Sequence, residues 1–248
     1  MIVIIGGEKG GTGKTTLATN LAALRVMCGK DVLLVDTDKQ ESANYWAYTR
    51  KDNLNISANV NSSQQLGGSI IRVTQDPSKQ YEDIIVDAGG RNSSELRATM
   101  TIADSLFIPV QPSQFDIWTL ARMDKLVDLA QRVNPKLGAY IIINRASNNP
   151  TVSEAYETIK LFNDYENLEF SGLVFKDRIA YRKAASQGLS VCELKPPDLK
   201  AVDEMKAFYK RVYHEEPEYQ KPSSRAQDQR GTGKSPEGFH FGERTGNF

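Results

Sequence analysis

Two lysines on either side of a glycine-rich turn stand near the start of the chain, in the segment EKGGTGKTT at residues 8–16. This segment follows a short apolar run and opens a stretch with helical spacing, which is the setting of a phosphate-binding loop. Glycines let successive backbone N–H groups point at one anion, and the N-terminus of the helix adds partial positive charge. We expect Lys14 to reach the outer phosphates of a nucleotide and the Thr15 hydroxyl to bind Mg²⁺. The residues that we expect at the phosphates are Gly10, Gly11, Thr12, Gly13, Lys14, Thr15 and Thr16.

Aspartates follow two further apolar runs, Asp36 and Asp38 after residues 31–35 and Asp87 after residues 83–86. Because the carboxyl ends of parallel strands meet at one edge of a sheet, we expect these side chains close to the phosphate loop. Asp87 would hold Mg²⁺ through water, since Mg²⁺ prefers carboxylates and retains several waters. The alternative for Asp36 and Asp38 is a purely stabilising role as a helix cap.

The elements that must position these residues alternate along the chain. Apolar, β-branched runs that suit buried strands are separated by stretches with the spacing of helices. The predicted strands are residues 2–5, 31–35, 83–86, 105–110, 139–143 and 170–175. The predicted helices are residues 15–28, 94–103, 115–133, 151–165 and 198–214, with helix or turn at 179–187. The pattern predicts an α/β fold with a doubly wound, mostly parallel sheet of about seven or eight strands and helices on both faces.

The composition is that of an ordinary soluble domain, with 248 residues, 40% of them apolar and 25% charged, and a formal net charge of zero. Two cysteines, Cys28 and Cys192, are too few for a disulfide scaffold, and the charge balance argues against a uniformly basic nucleic-acid-binding protein. No apolar run is long enough to cross a bilayer and no signal peptide is recognisable, so we expect a cytoplasmic protein. The predicted domain covers residues 1–215, and a polar sequence without periodicity predicts a disordered tail over residues 216–248.

The segment KGGTGKTT, with a lysine early in the loop and Glu8 in the place of the usual first glycine, resembles the deviant Walker A motif of the ParA/MinD family of ATPases. The resemblance extends from residue 1 to about residue 213. It implies a Mg²⁺-dependent ATPase that binds ATP and ADP, with ATP sandwiched between the subunits of a homodimer. In such a dimer Lys9 would reach the nucleotide of the partner, where a second cation offsets the charge that develops during phosphoryl transfer.

The resemblance also assigns roles to residues outside the loop. Asp36 and Asp38 match the D-x-D switch of the family, in which Asp38 orients the attacking water and Asp36 supports the Mg²⁺ shell. Asn144, which Arg145 follows, matches the asparagine that reads the adenine, and a simple strand end is the alternative for this position. Pro112 lies in a segment that resembles the proline-flanked loop beside the nucleotide.

A basic stretch resembles the DNA-binding region of the small ParA class, which binds DNA without sequence preference by neutralising phosphates. Between residues 171 and 200 six basic residues stand against three acidic ones. We expect Arg178, Arg182 and Lys183 at the DNA, and the alternative is a solvated helix face. The phosphate loop lies too near the N-terminus for the helix-turn-helix domain of the larger ParA proteins. We therefore expect a ParB-like partner, either a centromere-binding or a cargo adaptor, to recognise the cargo.

We therefore predict an ATP-dependent partition protein that associates with the nucleoid, segregates plasmid or other DNA cargo, and leaves DNA when the adaptor stimulates ATP hydrolysis. Three alternatives share the same ATP site: a ParA-like positioner of a protein cargo, a MinD-like membrane-associated ATPase, and a metabolic ATP-dependent ligase or synthetase. We expect no membrane partner, because the last thirty or so residues lack the pattern of an amphipathic helix.

Overall fold

The computed structural model describes residues 1–53, 56, 58–65, 69, 71–72, 81–90, 94–149 and 154–219. At its centre lies a sheet of seven parallel strands in the order β3-β2-β4-β1-β5-β6-β7. The strands are β1 (Ile2–Ile5), β2 (Val32–Asp36), β3 (Asn61–Gln64), β4 (Asp83–Asp87), β5 (Ser105–Val110), β6 (Gly138–Ala146) and β7 (Glu169–Lys176). The helices are α1 (Lys14–Met27), α2 (Ser42–Asp52), α3 (Ser94–Met100), α4 (Gln114–Gln131), α5 (Glu154–Lys160), α6 (Ile179–Ala185) and α7 (Leu199–Tyr213), with short 3₁₀ helices at Leu161–Asp164 and Val191–Glu193. The doubly wound α/β prediction is confirmed.

Helices cover both faces of the sheet, which is why the central strands consist of buried apolar residues. Alternate residues of β1 enter opposite cores: Val3 and Ile5 pack with α1, α2, α6 and α7, whereas Ile4 packs with α3 and α4. The strand register then places the polar residues at the strand ends together, at the carboxyl-terminal edge of the sheet. Asp87 at the end of β4 is the neighbour of Ile5 on β1 and of Asp36 on β2. The phosphate loop follows β1 directly, so it lies beside both aspartates.

Two elements, α2 and β3, were missing from the sequence prediction. β3 has the polar sequence NSSQ and pairs only with β2 at the edge of the described sheet, so it carries no apolar alternation. α2 begins after Glu41, whose backbone is left-handed and whose side chain makes no capping bond. Its cap comes instead from Asp36, which is distant from the usual capping position. Both elements therefore lack the local signals on which the prediction depends.

The helix α7 carries an apolar stripe that packs on the sheet. Its members are at most 7% exposed: Val202, Met205, Phe208, Tyr209 and Val212. Leu199, which the sequence pattern included in the stripe, is 64% exposed at the start of the helix. The stripe is therefore part of the core, as expected, and is not available to a lipid surface.

The chain still contacts the domain beyond α7. Glu215 accepts a hydrogen bond from Arg25 Nη1 at 2.5 Å, and Tyr219 packs against the core. The rest of the predicted tail, residues 220–248, lies outside the described residues, as do residues 151–153 of the predicted helix 151–165. None of the helices in the described part of the chain combines the length and the apolar character that crossing a membrane requires.

Candidate nucleotide-binding site

The loop between β1 and α1 adopts the conformation that its glycines predict. Gly11 and Gly13 have φ values of 77° and 94°, which side chains other than glycine rarely adopt. A Cβ at Gly13 would lie 2.1 Å from Nδ2 of Asn144, which donates a hydrogen bond to the carbonyl of Thr12 at 2.6 Å. The strand end of β6 therefore presses on the loop, and only glycine fits at residue 13.

Lys14, at the first position of α1, is buried at 7% exposure. Its Nζ donates to the backbone carbonyl of Lys9 at 2.8 Å, across the mouth of the loop. Burial lowers the pKa of Lys14, while the nearby carboxylates of Asp87 and Asp38 act in the opposite direction. The ammonium therefore lies between the loop and the two strand-end carboxylates, where we expect a phosphate to replace the Lys9 carbonyl as its acceptor.

Thr15 and Asp87 place a hydroxyl and a carboxylate side by side next to the loop, where the sequence predicts Mg²⁺. Thr15 Oγ1 donates to Asp87 Oδ2 at 2.6 Å, and Asp87 is 2% exposed. Burial raises the pKa of Asp87 to about 7, in spite of the Thr15 hydrogen bond and the charge of Lys14. Within the described residues, no three His, Cys, Asp or Glu side chains form a metal-binding group. A hydroxyl and one carboxylate suit an ion that keeps several waters and takes the remaining ligands from phosphates.

Asp36 and Asp38, both predicted in the switch, have different surroundings. Asp36 is fully buried; its Oδ2 accepts from the amides of Ala43 and Asn44 at 2.8 and 3.2 Å, and its Oδ1 from the amide of Asp38 at 2.9 Å. Burial raises the pKa of Asp36, and these amide bonds lower it. Asp36 is thus the cap of α2, and its role in the Mg²⁺ shell stays a prediction. Asp38 lines the cavity next to the loop, as a residue that orients water must.

The cavity runs from the phosphate loop to the ends of β6 and β7. Asn144 and Arg145 line it, and their predicted contact with the nucleotide stays a prediction. Arg145 has a left-handed backbone with φ 57°, and its Nη1 donates to the carbonyl of Gly11 at 3.0 Å. Sequence reasoning missed Asp177 and Tyr181, which also line this end. Asp177 directly follows β7, so its position after a strand was a usable signal, whereas Tyr181 lies within α6 and had no such signal.

The predicted proline loop touches the site through a neighbouring residue. Pro112 is not among the residues that line the cavity, whereas Gln111 Nε2 donates to the carbonyl of Gly11 at 3.2 Å. The loop therefore reaches the phosphate segment by an amide side chain that the sequence reasoning passed over.

The three residues predicted to bind DNA lie on or next to α6, with unequal exposure. Arg178 is 17% exposed, and its Nε and Nη2 donate to Glu204 at 2.9 and 2.7 Å. Arg182 is 62% exposed and contacts Asp177 at 3.1 Å, and Lys183 is exposed. The charge of Arg178 is thus neutralised inside the domain, whereas the other two cations face solvent. The role of all three at DNA stays a prediction.

Comparison with known proteins fits this geometry. The pattern of the "CobQ/CobB/MinD/ParA nucleotide binding domain" matches residues 3–191. The "Maintenance of carboxysome distribution protein A" of Halothiobacillus neapolitanus is 27% identical over 207 residues, which cover 82% of this chain and 92% of that protein. The "Sporulation initiation inhibitor protein Soj" of Bacillus subtilis is 26% identical over 206 residues, 66% of this chain and 80% of that protein.

Solved structures share the fold at low sequence identity. A McdA variant from Cyanothece in complex with ATP has a TM-score of 0.64 at 19% identity, covering 88% of this chain and 98% of that one. MinD from Aquifex aeolicus has a TM-score of 0.61 at 17% identity, covering 89% and 99%. The family match spans most of the domain, including the loop and both strand-end aspartates. The chain therefore belongs to the CobQ/CobB/MinD/ParA family of nucleotide-binding domains, as its two-lysine loop predicted.

Proposed function

We propose that the chain is a Mg²⁺-dependent ATPase that positions a protein cargo along DNA, with an adaptor that stimulates hydrolysis. The observation that carries this proposal is the match to carboxysome distribution proteins over nearly their whole length, 92% of the one from Halothiobacillus neapolitanus and 93% of the one from Gloeobacter kilaueensis. It favours a protein cargo over the DNA cargo that we predicted first. The ATP chemistry is common to both.

The residues of the cavity support ATP hydrolysis. The backbone amides of the loop and Lys14 would bind the phosphates, and Thr15 and Asp87 would hold Mg²⁺, which neutralises phosphate charge when bound. Asp38, which lines the same cavity, would accept a hydrogen bond from the attacking water and orient it. Lys9 would serve the nucleotide of a second subunit, so turnover would require a dimer.

We propose that Arg182 and Lys183 bind DNA, because both side chains are exposed to solvent. Arg182 also lines the nucleotide cavity, so it lies next to both proposed ligands. Binding would neutralise phosphates without base readout, so it should weaken steeply as salt rises. Arg178 is left out of this role, since Glu204 already holds its guanidinium.

The test is binding to a mixed-sequence duplex with ATP, ADP or no nucleotide at several salt concentrations. The variant is Arg182→Ala with Lys183→Ala. The control removes the same charge from an exposed position of α4 and from the exposed residue after its end, by Lys125→Ala with Arg132→Ala. We expect ATP-dependent binding that the first variant weakens by about tenfold or more and the control leaves nearly unchanged. Equal effects of the two variants, or no binding with ATP, would refute this surface.

A second candidate is partition of plasmid or chromosomal DNA, which the similarity to the "Chromosome partitioning protein ParA" of Myxococcus xanthus, 27% identical over 173 residues, favours. The two candidate functions are distinguished by deleting the gene in its native host and complementing the deletion with the wild-type or the Asp38→Ala protein. Loss of even spacing of a protein body, with DNA inheritance intact, supports the first. Plasmid loss or anucleate cells, with protein bodies in place, supports the second.

A further inference from the structure

Two residues at the start of the phosphate loop form ion pairs with residues of α4. Lys9 Nζ lies 2.5 Å from Asp116 Oδ2, and Arg122 Nη1 lies 3.5 Å from Glu8 Oε2. Each pair joins a buried acid to a more exposed base: Asp116 is 1% exposed and Lys9 39%, while Glu8 is 8% exposed and Arg122 78%. Lys9, which the family resemblance assigns to the nucleotide of the partner subunit, is therefore paired with an acidic residue of its own chain.

The Asp116 carboxylate, which binds Lys9, has few other hydrogen-bond partners. It lies in the first turn of α4, where the Ser113 hydroxyl donates to its Oδ2 at 2.6 Å. Its second oxygen, Oδ1, is buried and accepts no hydrogen bond from the described residues. A buried carboxylate left without a counter-charge is strongly unfavourable, so removal of Lys9 from this oxygen is costly.

We propose that Asp116 is a positioning residue that keeps Lys9 on its own subunit until a nucleotide-bound partner displaces it. This inference rests on the proposed function, because it requires Lys9 to act in a dimer. A phosphate of another subunit cannot enter the site of Asp116, which is 1% exposed, so Lys9 would turn away from Asp116 to give that phosphate its whole ammonium group. The neighbours Phe115 and Trp118 are 69% and 61% exposed, so the surface around the pair is open to a second copy.

The ion pair makes dimerisation dependent on the phosphates of ATP. Lys9 exchanges one anionic partner for another when ATP is present in the partner subunit. Without that nucleotide, the exchange would leave the Asp116 charge buried and unpaired. Asp116→Asn removes the charge but keeps the shape and the oxygen that accepts from Ser113, so it should free Lys9 with little loss of helix capping.

The first test measures acylation of lysine amines by mass spectrometry, without nucleotide and at a concentration where the chain is monomeric. Lys30 is an internal control, because its side chain is 38% exposed and it pairs with Glu82, which is 50% exposed. In wild type we expect Lys9 to react about threefold or more slowly than Lys30. Asp116→Asn should abolish that difference, whereas the matched control Asp128→Asn on the same helix should preserve it. The wild-type comparison stands even if Asp116→Asn does not fold.

The second test measures dimerisation by sedimentation with a non-hydrolysable ATP analogue. We expect Asp116→Asn to dimerise at about fivefold lower protein concentration than wild type. Equal reactivity of Lys9 and Lys30 in wild type, or unchanged dimerisation of a folded Asp116→Asn, would overturn the inference. If wild type never dimerises with the analogue while Lys9 remains slow to react, the proposed dimeric function fails and the ion pair stands.

Discussion

A buried carboxylate, Asp87, lies where the metal ion of the nucleotide is expected. Burial raises the pKa of Asp87 to about 7 from an ordinary 3.8. The folded state therefore binds this proton more tightly than the unfolded state does, and protonation stabilises the fold. The stability that this proton contributes is complete below about pH 4 and is lost as the pH rises through 7. We expect Asp87→Asn, which is neutral at every pH, to raise the free energy of unfolding at pH 8 by about 1–3 kcal/mol and to change it little at pH 4.

This prediction is checked by urea unfolding of both chains in EDTA without nucleotide, at pH 4 and pH 8. The same substitution should weaken binding of ATP with Mg²⁺, since the neutral amide is a poorer partner for the ion. A variant that is less stable than wild type at pH 8 would contradict the inferred burial of charge.

Gly13 is the position of the loop where a side chain has no room. Gly13→Ala would place a Cβ 2.1 Å from Asn144 Nδ2, on a backbone with φ 94°. We expect the loop to shift, with a loss of about 1–3 kcal/mol in stability and with ATP affinity reduced at least tenfold. Gly10→Ala is the control for folding, because a Cβ there meets nothing within 4 Å. Thermal unfolding and nucleotide titration measure both effects, and equal stability of the two variants would contradict this account.

At the scale of elements, a buried ion pair joins α2 to the segment after α6. Arg50 is fully buried and bonds Glu193 through both terminal nitrogens, at 2.7 and 2.9 Å. Its remaining bonds go to the carbonyls of Gly188 and Ala58, both at 3.0 Å. The Arg50 guanidinium thus connects α2, which follows Asp36 and Asp38, to the segment between α6 and α7.

We expect Arg50→Ala to cost about 3–5 kcal/mol, because it leaves the Glu193 charge buried without a partner. Arg50→Met with Glu193→Leu should recover most of that loss, since no charge then remains unpaired. Urea unfolding measures each variant. Arg132→Ala, which breaks an exposed pair with Asp128, is the control and should cost no more than about 0.5 kcal/mol. An Arg50→Ala loss as small as the control would refute the structural role of the pair.

At the scale of the whole molecule, a ligand that binds only the folded state stabilises it by mass action. ATP with Mg²⁺ at one hundred times its Kd should add about 2.7 kcal/mol to the free energy of unfolding. Removal of Mg²⁺ by EDTA should reverse most of this gain, because Thr15 and Asp87 would then lack their ion. Differential scanning fluorimetry gives the shift. Lys14→Ala should show none, and a shift of equal size in that variant would place the nucleotide elsewhere.

The sequence by itself determined the fold class and the core of the nucleotide site. The phosphate loop depends on local signals, namely glycines between a strand and a helix with a lysine at a fixed offset. The carboxyl ends of parallel strands share an edge, so the aspartates after two apolar runs were predictable as neighbours of that loop. Both conclusions depend on residues that lie close together in the chain or on a rule of sheet topology.

The tertiary structure decided which of these groups are engaged elsewhere. Lys9 meets Asp116 across 107 positions of the chain, and Arg178 meets Glu204 across 26. Asp36 caps a helix that starts six residues later, which is why α2 carried no capping signal of its own. Ion pairing and burial depend on distances between side chains far apart in sequence, and no local pattern encodes those distances. The structure therefore decided whether each charge is free for a ligand or neutralised within the domain.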